Sequence, residues 1–258
     1  MDLGLEGKHV LVTGAGRGIG LAIVKVFLDE GARVVGASRG ATDETIALEA
    51  MSDRFRFIEV DLASTEGPAL MVERVDGPLD IVVNNVGTAP VRPDGFGSID
   101  DEAWARTLTL NLLAAVRTCR AVLARMSTGG VIVNIASENA ILADPLVMDY
   151  SAAKAGLLNF SKSLSKELGP SGIRVNSVSP GPVATALWLG DDGVAATVSK
   201  AQGISPEAVR VSAASEMLTG RFTRPEEVAD LVAMLASPRL GNVTGSDFVI
   251  DGGMRTTI

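Results

Sequence analysis

Cysteine, histidine and tyrosine each occur once among the 258 residues, as Cys119, His9 and Tyr150. A single cysteine excludes an internal disulfide, and one cysteine with one histidine leaves no Cys/His zinc site. No cluster of acidic residues suggests a carboxylate metal site, so no metal is expected. Aromatic residues are scarce, at 4%, and no run of lysine and arginine interrupts a chain of net charge −8. Nucleic acid, whose phosphates are bound by clustered basic side chains, is therefore an unfavourable partner. The first residues, M-D-L-G-L-E-G-K, lack the charged-then-apolar pattern of a secretory signal. No apolar run reaches membrane-spanning length. A soluble, cytoplasmic protein with neither nucleic-acid nor membrane partners is the expectation.

Glycine is plentiful, with 28 residues, and four of them fall in V-L-V-T-G-A-G-R-G-I-G, residues 10–20. The apolar run Val10, Leu11, Val12 stops at Thr13 and passes into a loop holding Gly14, Gly16, Gly18 and Gly20. Ile19, Leu21, Ala22, Ile23, Val24, Val26 and Phe27 then follow with the spacing of a helix that buries one side. Strand, glycine turn and helix in that order are the context in which such a motif binds a dinucleotide. Glycine lets the backbone approach a diphosphate, and N–H groups at the helix start supply partial positive charge. The alternative is a βα turn without a ligand.

Apolar runs and helical patterns alternate along the rest of the chain. Strands are predicted at 32–37, 55–60, 79–84, 130–135, 173–178 and 247–250. Helices are predicted at 43–50, 64–75, 100–126, 149–168 and 225–236, with a Gly- and Pro-rich loop at 87–98. This alternation predicts an α/β fold, a Rossmann-type doubly wound parallel sheet of about seven strands with helices on both faces. No linker or repeat divides it, so residues 1–258 are read as a single domain. The irregular excursion at 186–223 is long for a connection and is read as a substrate lid.

Tyr150 and Lys154 lie four apart at the start of a predicted helix and so share one face. A phenol is a poor acid–base group at neutral pH, and a nearby ammonium favours its ionised form. By itself the pair is also consistent with a half-exposed tyrosine and a solvated lysine. Ser137, however, ends the fifth strand at the carboxyl edge of the sheet, where ligands bind in doubly wound folds. A hydroxyl there can hold a carbonyl or carbinol oxygen beside the phenol, or it can cap the next segment.

These features together resemble the short-chain dehydrogenase/reductase family. Thr13-Gly14-Ala15-Gly16-Arg17-Gly18-Ile19-Gly20 is similar to that family's TGxxxGIG. Asp61-Leu62, Asn84-Asn85-Val86-Gly87, Asn111, Ser137, Tyr150-Ser151-Ala152-Ala153-Lys154, Pro180-Gly181-Pro182-Val183 and Asp251-Gly252-Gly253 follow in the family's order. The resemblance implies that Tyr150 is the general acid–base and that Ser137 positions the substrate oxygen. It implies that Lys154 holds the nicotinamide ribose and lowers the phenol's pKa, and that Asn111 anchors a water linking Lys154 to solvent. Gly14, Arg17, Gly18, Ile19 and Gly20 would cradle the diphosphate, while Asp61 and Leu62 would contact adenine. Asn84, Asn85 and Gly87 would line the cofactor pocket, and Pro180, Gly181, Val183 and Thr185 would meet the nicotinamide. Val86 departs from the family's usual alanine and adds two methyl groups there. Hydride transfer would be the cofactor's chemistry, with the protein supplying position and a proton.

A fold that uses NAD places a carboxylate after the second strand to accept hydrogen bonds from the ribose 2′-hydroxyl. Here that place holds Ser38 and Arg39, a hydroxyl and a guanidinium suited to a 2′-phosphate, with Arg17 as a second positive charge. NADP(H) is therefore expected over NAD(H), and with it carbonyl reduction. The substrate would be a small carbonyl or alcohol. Residues 138–142, 145–148 and 88–92 and the lid are expected to wall its pocket, with Glu138, Met148, Leu187 and Trp188 as pocket residues. Glu138 could face water or lend the pocket negative charge. Trp188 could close on an apolar substrate or pack the lid against the body.

The rows Leu108, Leu112, Ala115 and Leu157, Phe160, Leu164 suit either subunit contacts or packing onto the sheet. A homo-oligomer, tetramer or dimer, is what the resemblance implies. Two other classes stay in view. A dinucleotide-binding sensor would not need the hydroxyl, phenol and ammonium together, and a sugar-nucleotide epimerase would need a larger C-terminal domain than this length holds.

Overall fold

The computed structural model describes residues 1–256. Seven strands form the sheet: β1 His9–Thr13, β2 Arg33–Ser38, β3 Phe55–Glu59, β4 Leu79–Asn84, β5 Met126–Ile135, β6 Arg174–Pro180 and β7 Asp247–Ile250. All pair in parallel, in the order β3-β2-β1-β4-β5-β6-β7. The order reverses between β1 and β4, which opens a crevice at the carboxyl ends of those strands. β1 is entirely apolar at Val10, Leu11 and Val12, each 0% exposed, because both sheet faces are covered.

Helices α1 Gly18–Asp29, α2 Asp43–Met51, α3 Gly67–Glu73, α4 Asp101–Leu108, α5 Ala114–Val122 and α6 Met148–Leu168 alternate with the strands. On one face α1 packs with the helix Pro225–Ala236 in a cluster holding Phe27, Ile23, Val228 and Val232. On the other, Met71, Cys119, Val122 and Leu164 cover Leu11, Val82 and Ile132. Fully burying a side chain of this kind contributes about 1.5–3 kcal/mol.

Three elements differ most from the sequence expectation. The helix expected at 64–75 covers only Gly67–Glu73, because Ser64 Oγ accepts from Gly67 N at 2.8 Å and Pro68 starts the first turn. The helix expected at 100–126 is interrupted by a π-helical segment, Thr109–Leu113, and ends in a 3₁₀ turn, Leu123–Arg125. Asn111 lies in that segment and its Nδ2 donates to Thr107 O at 3.0 Å, drawing the local hydrogen bonds away from the regular ladder. The run Asp101–Arg125 is long and apolar enough to cross a membrane, yet here it is a layer of the core, with Ala114, Cys119 and Val122 against the sheet. The fifth strand begins at Met126, four residues before its expected start, with a register shift opposite Leu79 and Ile81.

The excursion at 186–223 holds three helices, α7 Ala186–Leu189, α8 Val194–Gln202 and α9 Pro206–Glu216. The chain then forms α10, Pro225–Ala236, with Pro225 in its first turn and Glu227 reaching back to the Arg224 amide at 2.8 Å.

Candidate active site

A cleft of about 280 Å³ opens at the carboxyl edge of the sheet, beside the reversal between β1 and β4. Its floor is the glycine loop after β1. Gly14 has φ +67°, and a Cβ there would lie 2.8 Å from Asn85 Nδ2; Gly18 has φ +56° and faces Thr185. A Cβ on Gly20 would fall 2.1 Å from Gly14 O, so only glycine lets the helix start pack against the turn. Asn85 fixes the loop by donating to Thr13 O at 3.1 Å and Gly14 O at 3.2 Å. Among the described residues no side chain caps α1 at Arg17, so its leading N–H groups face the cleft. That is a built anion site, and it fits the diphosphate of a dinucleotide.

At one end of the cleft stand Ser38, Arg39, Val60, Asp61 and Leu62. Ser38 Oγ lies close under Gly16, where an added Cβ would come within 3.3 Å of it. Arg39 and Arg17 are exposed, and neither forms an ion pair among the described residues. Asp61 closes a turn by accepting from Ala63 N at 2.9 Å. Gly87, Pro180, Gly181, Val183 and Thr185 line the middle, with Val183 anchored by a parallel bridge to Thr223.

Ser137, Tyr150 and Lys154 share the other end. The β-region backbone of Ser137 leads from the end of β5 into the 3₁₀ turn Glu138–Ala140, and its Oγ accepts from Asn139 N at 3.2 Å. One turn of α6 places Lys154 Nζ 5.7 Å from the Tyr150 ring centroid, and Nζ donates to Ile135 O at 2.7 Å. Asn111 stands behind them. Its Oδ1 accepts from Thr88 N at 3.0 Å, and Gly87 leaves the space between Asn111 Oδ1 and Lys154 Nζ free of any side chain.

A family model described as enoyl-(acyl carrier protein) reductase matches residues 14–255. The chain is 37% identical to D-threitol dehydrogenase of Mycolicibacterium smegmatis, covering 98% of this chain and 94% of that one. It is 31% identical to 3-oxoacyl-[acyl-carrier-protein] reductase of Vibrio harveyi, over 98% and 99% of the two. The solved structure of L-sorbose reductase from Gluconobacter frateurii, complexed with NADPH and L-sorbose, superposes over the full length of both chains with a TM-score of 0.91 and 34% identity. The chain belongs to the short-chain dehydrogenase/reductase family. It is thus an oxidoreductase, built on that family's Rossmann-like parallel sheet.

The electrostatics of this reductase-family site depart from expectation at the phenol. Burial pushes Tyr150 up to about 12; the neighbouring Ser137 hydroxyl lowers it and the Glu138 carboxyl raises it. Burial also pushes Lys154 down to about 8, which still leaves it mainly an ammonium at pH 7. The phenol is therefore held protonated. Glu138, expected either to face water or to charge the pocket, is 5% exposed. Burial and then the charges of Asp251, Glu216 and Asp144 push it up to about 8, with Arg255 opposing. It lines the cleft as a largely neutral acid at pH 7.

Leu187 and Trp188 also line the cleft, and Trp188 packs edge-on against Phe222, another residue of the 186–223 excursion, at 5.3 Å. Several expected pocket residues lie elsewhere; of residues 138–142 only Glu138 and Asn139 reach the cleft. Met148 starts α6 outside the cleft lining, since the wall at 145–148 is a 3₁₀ turn ahead of that helix. Asn84 is buried behind the cleft, donating to Asn134 Oδ1 at 2.8 Å, and leaves the lining to Asn85. Of residues 88–92, only Thr88 and Ala89 reach the cleft.

Arg92 turns inward instead, to a network that sequence reasoning missed. Its Nη2 meets Asp149 Oδ2 at 2.6 Å, and Thr107 Oγ1 donates to the same oxygen at 2.7 Å. Asp149 precedes Tyr150, and Thr107 O receives Asn111 Nδ2, so the network clamps two site residues at once. An acidic residue just ahead of an otherwise weakly charged helix face was the only sign of it in the sequence.

Proposed function

We propose that this protein is an NADP(H)-dependent oxidoreductase that interconverts a small carbonyl compound and its secondary alcohol, with reduction as the favoured direction. The observation that carries the reading is one cleft with a hydroxyl, a phenol and a buried ammonium at one end and two unpaired guanidinium groups at the other. The NADPH in the complex of the sorbose reductase, 34% identical, supports the cofactor choice. Arg17, Arg39 and Ser38 would hold a 2′-phosphate, and the glycine loop with the start of α1 would hold the diphosphate.

When bound, the reduced nicotinamide supplies a hydride to the carbonyl carbon. Ser137 orients the carbonyl oxygen, and Tyr150 gives it the phenolic proton, completing the alcohol. A phenol held near 12 is the form that can donate. Lys154, stabilised against Ile135 O, and Asn111, set in the π-helical segment, return a proton from water to the phenolate. In oxidation the same groups move the proton the other way. Segment 186–223 would serve as the lid, and the active form would be a cytoplasmic homo-oligomer.

Titration of the purified protein with NADPH and with NADH, followed by nicotinamide fluorescence, tests the reading. NADPH binding tighter than NADH is expected. Replacing Tyr150 with Phe should then lower turnover by roughly 10²–10⁴-fold while NADPH still binds. Unchanged turnover refutes the proton-transfer role, and failure to bind either nucleotide refutes the function.

A further inference from the structure

The proposed proton transfer uses Ser137, Tyr150, Lys154 and Asn111, yet the next residue in the chain after Ser137 brings a buried carboxyl into the same end of the cleft. Glu138 Oε2 is sealed from water and has no hydrogen-bond partner among the described residues. Room for it is made by Gly181, where an added Cβ would stand 2.9 Å from Oε2. The backbone beneath is fixed, since Ile141 N and Leu142 N donate to Glu138 O at 2.9 and 2.8 Å. The small part of Glu138 that stays exposed faces the cleft, and a ligand there that pairs with the carboxyl relieves a polar group left without a partner. Trp188, packed edge-on against Phe222, lines the same cleft.

We propose that Glu138 is a specificity-determining residue that hydrogen-bonds a hydroxyl on the carbon next to the reacting one, so that hydroxyketones and polyols are the substrate class. This rests on the oxidoreductase reading given above. A neutral carboxyl presents one O–H donor and one carbonyl acceptor, which matches a hydroxyl that both donates and accepts. Its place one residue beyond Ser137 suits the substituent adjacent to the oxygen that Ser137 holds. Trp188 complements it by covering the C–H face of such a molecule. A site built to pair a hydroxyl discriminates strongly against the analogue lacking it, because its own polar group is then left unpaired.

The test compares 1-hydroxy-2-butanone with 2-butanone, a pair that differs by one hydroxyl, using NADPH and the wild-type, Glu138→Leu and Glu138→Gln proteins. The wild type should favour the hydroxyketone roughly 10–100-fold in kcat/KM. Glu138→Leu should bring that ratio close to one, and Glu138→Gln, which keeps a donor and an acceptor, should preserve most of it. NADPH fluorescence reports whether each variant is folded. An unchanged ratio in Glu138→Leu overturns the proposal, as does a preference for 1-amino-2-butanone, which would mean an ionised carboxylate binding a cation. If neither ketone is reduced, the oxidoreductase reading fails on its own. Calorimetric titration of xylitol into the NADP⁺-loaded protein then decides the role of Glu138. Binding that is lost in Glu138→Leu upholds it, and binding that is absent or equal in both proteins refutes it.

Discussion

Replacing Asp149 with Ala removes the centre of the network that joins the loop after β4 to the start of α6. Asp149 is completely buried, and its carboxylate holds Arg92 at 2.6 Å and Thr107 at 2.7 Å. Truncation leaves Arg92, with 21% of its side chain exposed, as a mostly buried cation without its partner. Breaking a buried pair from one side typically costs about 3–5 kcal/mol. The partial access of Arg92 to water argues for the lower part of that range, about 3 kcal/mol.

Urea unfolding followed by fluorescence of Trp104 and Trp188 measures the cost. The double replacement Arg92→Leu with Asp149→Leu should recover at least half of it, since no charge is then stranded. The pH dependence has a definite sign. Burial pushes Asp149 up, but the hydrogen bonds from Arg92 and Thr107 outweigh it and hold the carboxyl below its ordinary 3.8. Its contribution is therefore present above that value and is lost as the pH falls through the lower folded value. The gap between wild type and variant should be full at pH 7 and should narrow below about pH 4. A loss under about 1 kcal/mol at pH 7, or a gap that does not depend on pH, would refute the reasoning.

Replacing Arg39 with Asp should weaken NADPH binding and strengthen NADH, reversing a preference of roughly tenfold or more; fluorescence titration with both nucleotides measures it. Glu138→Gln should stabilise the protein at pH 8–9. The folded pKa of Glu138 is raised from 4.5 to about 8, so the wild type loses stability as pH rises across that interval, and the two proteins should converge below about pH 4.5 in thermal melts. Cys119, buried and pushed up to about 12, should resist thiol reagents in the native protein and react once it is unfolded, as mass spectrometry would show.

Most of the fold was legible because its signals are local. The strand, glycine turn and helix at 10–29 depend on neighbours in sequence, and the four-residue spacing of Tyr150 and Lys154 sets them on one face wherever the helix goes. Less visible were features created by partners far along the chain. Asn111 reads as an interior helix residue, but its side chain is also held by Thr88, which reaches it from the loop after β4. Asn84 and Asn85 are neighbours in sequence, yet β4 buries the first toward Asn134 and turns the second to the glycine loop.

By itself the sequence determined the order of elements, the parallel sheet and the candidate residues for holding a dinucleotide and moving a proton, since these follow from periodicity, glycine geometry and side-chain chemistry. Only the tertiary structure decided the protonation of the site and the true walls of its cleft. Desolvation is a property of the packed surroundings: it raises Tyr150 and Glu138 and lowers Lys154 in ways that no spacing encodes. The pairing of Arg92 with Asp149 likewise exists only once the loop and the helix have closed on each other.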